Sequence, residues 1–393
     1  MGAILKLEYA EGVSVDIRQK IDLLGEAAQH DICRGCGSHS SRVQDDLGRW
    51  VYPAIRPDGQ RISMLKVLQT NVCEKDCAYC ANRSGRDIRR TAFTPDELAR
   101  TFDQMAHRRL VEGLFLSSGI CGHADQAMQR MLATVELIRR QYGFRGYIHL
   151  KILPGADDAS IEAAVRLADR VSVNLEAPNP QRIQHLSHTK DFFRELLAPL
   201  RKADEVRQAL KPGVSMTTQF VVGAAGESDK EILSSATSLY SNLRLARVYY
   251  SAFQPVRDTP LENHDPTPTW REHRLYQADF LLRQYGFTFD EIVFGEEGRL
   301  PREADPKLAW ALSNPECFPI EINTASQRDL LRIPGIGPRS AQKIIARRKQ
   351  GRLRELAHID LPPASVRQAA PFVLLGGKRP SYQLPLFDPT AAC

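Results

Sequence analysis

Three cysteines, Cys73, Cys77 and Cys80, fall within eight residues of one another in the spacing C-x3-C-x2-C. No other stretch constrains the chain as tightly. Thiolate is the soft ligand that iron–sulfur clusters require, and a short loop can gather several thiolates around one cubane. A [4Fe–4S] cluster has four irons, so three local ligands leave one iron without a protein thiolate. Such an open metal position is where a substrate or cofactor binds. The alternatives are a zinc loop or three buried free thiols. Zinc would want a fourth nearby Cys or His in paired C-x2-C form, and this loop lacks one.

The chain is long enough, at 393 residues, for one large α/β domain and a small one. No apolar run approaches the ~18 residues that a membrane span needs. The first residues, Met1–Glu8, lack the basic region, apolar core and cleavage site of a signal peptide. These readings predict a cytoplasmic protein with no membrane partner, in which clustered cysteines serve metal rather than disulfides. The net charge is +6, and its distribution is uneven. Between Ile320 and Pro380 stand twelve Lys/Arg and four Asp/Glu, a local excess of +8 that leaves the remainder slightly acidic. A confined basic patch is the footprint of a polyanion partner, although many charge runs are simply solvated surface.

Periodicity predicts a lead-in of helix and loop over 1–61, with a helix near Ile17–Ala28. Cys33 and Cys36 form a lone C-x2-C there; two ligands do not make a site, and a Gly/Ser loop with incidental thiols is the simpler reading. From 62 to 290 strand-like and helix-like segments alternate. The apolar segments are Met64–Leu68, Gly113–Gly119 (ending in a turn), Tyr147–Leu153, Arg170–Leu175, Ser215–Val222 and Val248–Phe253. Six strands each followed by a helix imply a parallel sheet with right-handed crossovers, a partial (β/α)6 barrel rather than a closed one of eight. A helix over Trp270–Tyr285, a short strand at Phe289–Phe294 and a Pro-punctuated linker over 291–319 follow. A small all-α domain is predicted over 320–378, and a flexible tail over 379–393.

The cysteine spacing, with Tyr79 just before the third cysteine, resembles the signature of the radical S-adenosylmethionine (SAM) superfamily. The resemblance implies that the open iron is chelated by SAM, that reduction cleaves SAM to a 5′-deoxyadenosyl radical, and that Tyr79 lies near the adenine. It also implies SAM contacts at the strand ends. After the second strand, Ser117, Ser118 and Gly119 stand where the family commonly has Gly-Gly-Glu, so the usual carboxylate is missing. Asn174 and Glu176 after the fourth strand, and Gly223 after the fifth, complete the candidate cofactor site. His149, Lys151, Gln219 and Tyr249 are placed to face a substrate, since active sites of βα barrels gather at the C-terminal strand ends. A low-potential donor such as flavodoxin or ferredoxin would supply electrons.

Near the C-terminus, helix, Pro334-Gly335-Ile336-Gly337-Pro338 and helix are similar to the helix-hairpin-helix of nucleic-acid-binding proteins. Glycines allow φ > 0, and a following helix N-terminus adds its dipole, together forming a phosphate seat. Gly335, Ile336 and Gly337, with Arg339, Lys343 and Arg347, are therefore the candidate nucleic-acid contacts. A protein–protein module is the alternative. A second, glycine-free copy over 356–374 is expected to pack rather than bind. In the tail, Gln383, Leu384, Leu386 and Phe387 resemble a peptide that docks on the bacterial sliding clamp; folding back on its own domain is the alternative.

Whole-chain resemblance is to a branch of the superfamily described as DNA modification or repair proteins, with a uracil-DNA-glycosylase-like partner. It implies a radical enzyme acting on DNA. An RNA-modifying enzyme and a non-catalytic iron–sulfur DNA-binding protein are the alternatives.

Overall fold

The computed structural model describes residues 16–28, 50–55, 59–359 and 361–380. Cys33, Cys36 and the Gln383–Phe387 peptide lie outside the described residues. In chain order the elements are α1 (Ile17–Ala28), β1 (Val51–Ile55), β2 (Arg61–Leu68), α2 (Pro95–His107), β3 (Gly113–Ser117), α3 (Ala124–Glu136), β4 (Tyr147–Lys151), α4 (Asp158–Leu167) and β5 (Arg170–Ser172). They continue with α5 (Pro180–Leu186), α6 (Ala198–Leu210), β6 (Ser215–Val222), α7 (Asp229–Leu243), β7 (Arg247–Ala252), α8 (Thr269–Gln284), α9 (Pro306–Ser313), β8 (Ile320–Glu321), α10 (Gln327–Arg332), α11 (Pro338–Arg348), α12 (Pro363–Ala369) and β9 (Val373–Leu374). The chain divides into two compact units, one of residues 1–227 and 238–269, the other of 228–237 and 270–393.

The first unit is built on a curled seven-stranded sheet in the order β1 to β7. Strands β2 to β7 are mutually parallel, as the alternation of strands and helices requires. Because successive side chains alternate between faces, each strand has two readings. One face carries Leu65, Leu114, Leu116, Ile148, Leu150, Val171, Phe220, Val248 and Tyr250, all essentially inaccessible. This apolar face is the core. The other, concave face is mixed: it holds Lys66, Ser117, His149, Lys151, Arg170, Ser172, Thr217 and Gln219 beside an apolar cluster of Ile62, Met64, Phe115 and Tyr147. Helix α2 illustrates how the outer layer starts. Thr94 caps it in a reciprocal capping box with Glu97, and Leu98, Phe102 and Met105 form its buried stripe.

Several elements depart from the sequence expectation. Val51–Ile55, read as lead-in, is a strand antiparallel to β2, which makes seven strands rather than six. Its Pro53 disguised it, yet an edge strand tolerates proline because one side of it needs no donor. Phe289–Phe294 is no strand; Phe289–Glu291 is a 3-10 turn closed by a Thr288–Glu291 capping box. The stretch read as a linker contains helix α9, whose Asp305 cap and first-turn Pro306 make its prolines a start signal rather than punctuation. The second unit is not wholly helical, since β8 and β9 pair in parallel beside the helical hairpin. Within that unit Asp229 and Arg271 form a buried ion pair at 2.7 Å, and Asp229 also accepts from the Leu300 amide.

Leu116 sits at the centre of the apolar face, fully buried. Leu116→Ala should cost about 2–5 kcal/mol, read as a lower denaturant midpoint with an unchanged slope.

Candidate active site and nucleic-acid interface

The cysteine loop leaves the C-terminal end of β2 and returns to form a bridge between Thr70 and Ala92. Asn71 locks this neck, donating to the Arg89 carbonyl (2.9 Å) and accepting from the Thr91 amide (2.8 Å). Inside the loop, the Arg90 guanidinium donates to four backbone carbonyls: Asn71 (2.5 Å), Asn82 (2.8 Å), Arg83 (2.7 Å) and Arg86 (3.3 Å). A loop without regular structure has carbonyls to satisfy, and one planar fork satisfies four. A second tether runs from Asp76, which accepts from Ser187 Oγ (2.5 Å), Thr189 Oγ1 (2.7 Å) and the His188 amide (3.0 Å). Burial opposes the charge on Asp76, but these donors outweigh it and hold its carboxyl down at about 2.

The strand ends close on this loop. The Gly119 amide donates to the Thr70 carbonyl at 2.7 Å, and a Cβ on Gly119 would lie 2.3 Å from the Val72 carbonyl oxygen. Glycine is required there for approach. Ser118 spends its hydroxyl on the Gly119 carbonyl (2.7 Å), while Ser117 lies buried on the concave face. Glu176 stands in the left-handed region at φ 64° and accepts from the Lys190 ammonium at both carboxylate oxygens, at 2.7 and 2.8 Å. This pair is buried, and the ammonium also faces the Cys77 sulfur. Tyr79 shares the same carboxylate; burial, then Glu176, pushes its phenol well above the ordinary value. Asn174 is half-buried two residues beyond Ser172. Gly223 has φ 93°, and its amide donates to Glu227, which also accepts from the Ala225 amide at 3.1 Å. Lys190 and Glu227 escaped the sequence reading. Lys190 was hidden in a polar loop, and only its spacing to Glu176 across α5 could have hinted at a pair.

Do these residues suit a [4Fe–4S] cluster? Backbone amides point at two of the sulfurs: Ile120 N lies 3.5 Å from Cys73 Sγ, and Asn82 N lies 3.4 Å from Cys80 Sγ. Such donors, with the Lys190 ammonium at Cys77, favour anionic sulfur. Burial works the other way: it raises the Cys77 thiol and, together with the neighbouring Cys77 sulfur, pushes Cys80 up to about 12. A metal would expel those protons on binding. Among the described residues no three His, Cys, Asp or Glu converge on a single ion. A cubane takes each thiolate on a different iron, so its ligands stand apart. The donor set fits the cluster.

In the second unit, α10 opens on a Ser326–Asp329 capping box, and α11 starts at Pro338 after Gly337. Arg339, Lys343 and Arg347 are all exposed along α11. Ile336 is different: its side chain is 1 % exposed in the hydrophobic core, and its amide donates to the Ile333 carbonyl. It packs the hairpin instead of facing outward. Gly335, at φ 77°, could not carry a Cβ without meeting the Ser365 carbonyl at 2.5 Å, so the glycine-free second helix α12 is what the hairpin rests on. The basic excess is smaller at the surface than the sequence count. Arg332 is buried over the Phe287 ring (3.7 Å) and paired with Glu291 (2.9 Å). Arg348 donates to the Ile322 and Ala325 carbonyls. The other ten Lys/Arg of 320–380 are exposed. Beneath the hairpin, buried Lys307 donates to the Ile336 carbonyl and lies 4.8 Å over the Tyr285 ring; burial pulls its pKa down to about 7.

Arg90→Met should leave four carbonyls without their shared donor. The expected result is faster proteolysis within 72–90 and loss of iron during gel filtration, with the far-ultraviolet circular dichroism unchanged. For Lys307, the folded chain releases its proton near 7 and the unfolded chain near 10.5. The unfolded state then binds more protons between those values, so stability should climb as pH rises through that window and fall as it drops back. The slope limit is about 1.4 kcal/mol per pH unit, and Lys307→Met should flatten it in denaturant titrations.

Comparison with known proteins bears on both halves. Residues 67–239 match the family model of the radical SAM superfamily, and residues 318–373 match that of the helix-hairpin-helix motif. The biotin synthase of Leptospira biflexa is 24% identical over 212 residues, covering 53% of this chain and 56% of that one. The tRNA-2-methylthio-N(6)-dimethylallyladenosine synthase of Vibrio vulnificus is 20% identical over 249 residues, covering 60% of this chain and 50% of that one. The chain thus spans about half the length of these curated relatives. Crystal structures of methylornithine synthase (PylB) and of the [FeFe]-hydrogenase maturase HydG superpose on 55% of this chain and on 60% and 48% of theirs, with TM-scores of 0.45 and 0.44 and identities of 16% and 12%. Residues 67–239 are a radical SAM domain, of a superfamily of enzymes that use a [4Fe–4S] cluster and S-adenosylmethionine, and residues 318–373 carry a helix-hairpin-helix motif.

Proposed function

We propose that this chain is a radical SAM enzyme that modifies or repairs DNA. One observation carries the reading: a loop suited to a three-thiolate cluster and a helical hairpin with exposed Arg339, Lys343 and Arg347 occur in the same chain. Cys73, Cys77 and Cys80 would hold the cluster, with Arg90 and Asp76 fixing the loop that carries them. When bound, the cluster and SAM supply an electron and a 5′-deoxyadenosyl radical that takes hydrogen from the substrate. Lys190, oriented by Glu176, is the buried cation for the carboxylate of the methionine moiety. Tyr79, Ser117, Gly119, Asn174 and the Gly223 loop form the rest of that pocket. The exposed cations of α11 bind phosphates irrespective of sequence and hold the strand in place. A low-potential flavodoxin or ferredoxin would supply the electron. The 383–387 peptide would tie the enzyme to the sliding clamp, and a uracil-DNA-glycosylase-like protein would act beside it.

An RNA substrate is the second reading, favoured by the tRNA named in the description of the Vibrio vulnificus relative. Anaerobic reconstitution with dithionite, SAM and matched DNA or RNA separates the two. DNA-dependent 5′-deoxyadenosine, with a mass change in a DNA nucleoside, supports the first reading, and the same with RNA alone supports the second. Cys77→Ala should lose the cluster and all 5′-deoxyadenosine. Arg339→Ala and Lys343→Ala should each weaken binding across all sequences and lower the slope of log K against log salt by about 1. A normal cluster that never cleaves SAM would leave only a DNA-binding protein.

A further inference from the structure

The seven strands of the first unit contain no Asp or Glu. Four of their five cations, Lys66, Lys151, Arg170 and Arg247, fall on the concave face. The register sets them in two adjoining rows. Lys66, Phe115, His149, Arg170 and Ser215 lie side by side in that order across β2 to β6, each next to the one that follows. Lys151, Ser172, Thr217 and Arg247 form the next row toward the strand C-termini.

Arg170 is the most telling of these. It is only 8 % exposed, yet among the described residues its partners are all neutral: Ser215 Oγ at 2.6 Å from Nε, Tyr249 OH at 3.3 Å from Nη1, and the Tyr147 ring 5.9 Å from the guanidinium carbon. A buried guanidinium without a counter-anion is costly, and native interiors avoid it unless function demands it. His149 registers the same field. Burial, then the charges of Arg170, Lys66 and Lys151, hold it neutral, well below the ordinary imidazole value, with Ser172 Oγ at 2.8 Å. In the next row, Thr217 is completely buried and, among the described residues, its hydroxyl has no hydrogen-bond partner. A buried cation and an orphaned hydroxyl on one concave wall ask for a single acceptor-rich group.

We propose that the concave face of the half-barrel binds a phosphate group of the substrate, with Arg170 as its counter-ion and Thr217 and Ser172 as hydroxyl donors. The proposal rests on the nucleic-acid reading above and deepens it. The duplex would be held by the helical hairpin, while one phosphate-bearing unit enters the barrel. A free nucleotide and a nucleic-acid strand share this chemistry, and the test separates them.

Full-length, cluster-reconstituted protein is titrated in phosphate- and sulfate-free buffer with inorganic phosphate, thymidine 5′-monophosphate, or a hexanucleotide lacking terminal phosphates. Calorimetry and thermal unfolding are the readouts. Binding by the first two alone assigns a terminal phosphate; binding by the hexanucleotide assigns an internal phosphodiester. In either case Arg170→Met should weaken binding roughly tenfold or more and, by removing a buried charge, should raise the unfolding midpoint without ligand. Arg170→Lys should keep most of the affinity. Should Arg170→Met not fold, Thr217→Val decides, since it keeps the shape and removes the hydroxyl. Phosphate probes that bind Arg170→Met or Thr217→Val as tightly as the natural chain, or bind none of the proteins, overturn the proposal. Arg339→Glu with Lys343→Glu keeps the two readings apart: it should abolish duplex binding while sparing mononucleotide binding.

Discussion

The first unit depends on how an irregular loop of about twenty residues is held still. Helices and strands satisfy their own carbonyls; the stretch from Asn71 to Arg90 cannot. The Arg90 guanidinium takes four of those carbonyls at once, and Asn71 closes the neck with a donor and an acceptor. Sulfur ligands whose separations are already fixed bind a cluster with less ordering cost. Here fixation comes from the polypeptide: carbonyls gathered on one cation, amides aimed at two sulfurs, and a glycine where β3 meets the loop.

The barrel itself follows from simpler rules. Parallel strands need crossovers, crossovers bring helices, and helices must cover an apolar face. The alternation along β2 to β7 therefore sorts residues into an inaccessible outer layer and a mixed concave wall. What the wall does is then a matter of which polar residues the inward-facing alternate positions hold. In this chain they are cations, hydroxyls, aromatic rings and one neutral imidazole, with no acid among the strands.

Much of this was legible beforehand, for identifiable reasons. The cysteine spacing is local, so it survives without any tertiary knowledge. The six parallel strands announce themselves through apolar runs between helical stripes. Long-range pairings do not. Arg90 acts on carbonyls, which every residue possesses and no pattern records. Glu176 reads as a strand-end carboxylate, and only the fold reveals that Lys190 occupies both of its oxygens. Counting charge from sequence also overstates the basic surface, because Arg332 and Arg348 are consumed by rings and carbonyls inside the second unit. Pro53 argues against a strand wherever both neighbours need a donor, but among the described residues β1 pairs with β2 alone, as an edge strand.

The Asp76 tether has a wider meaning. The donors from Ser187, His188 and Thr189 hold its carboxyl well below the ordinary carboxylate range and keep it charged at neutral pH. The segment bearing Lys190 and the segment bearing the sulfurs are thereby riveted together independently of iron. A cluster bound there would be set like a stone in a mount that the polypeptide has already closed.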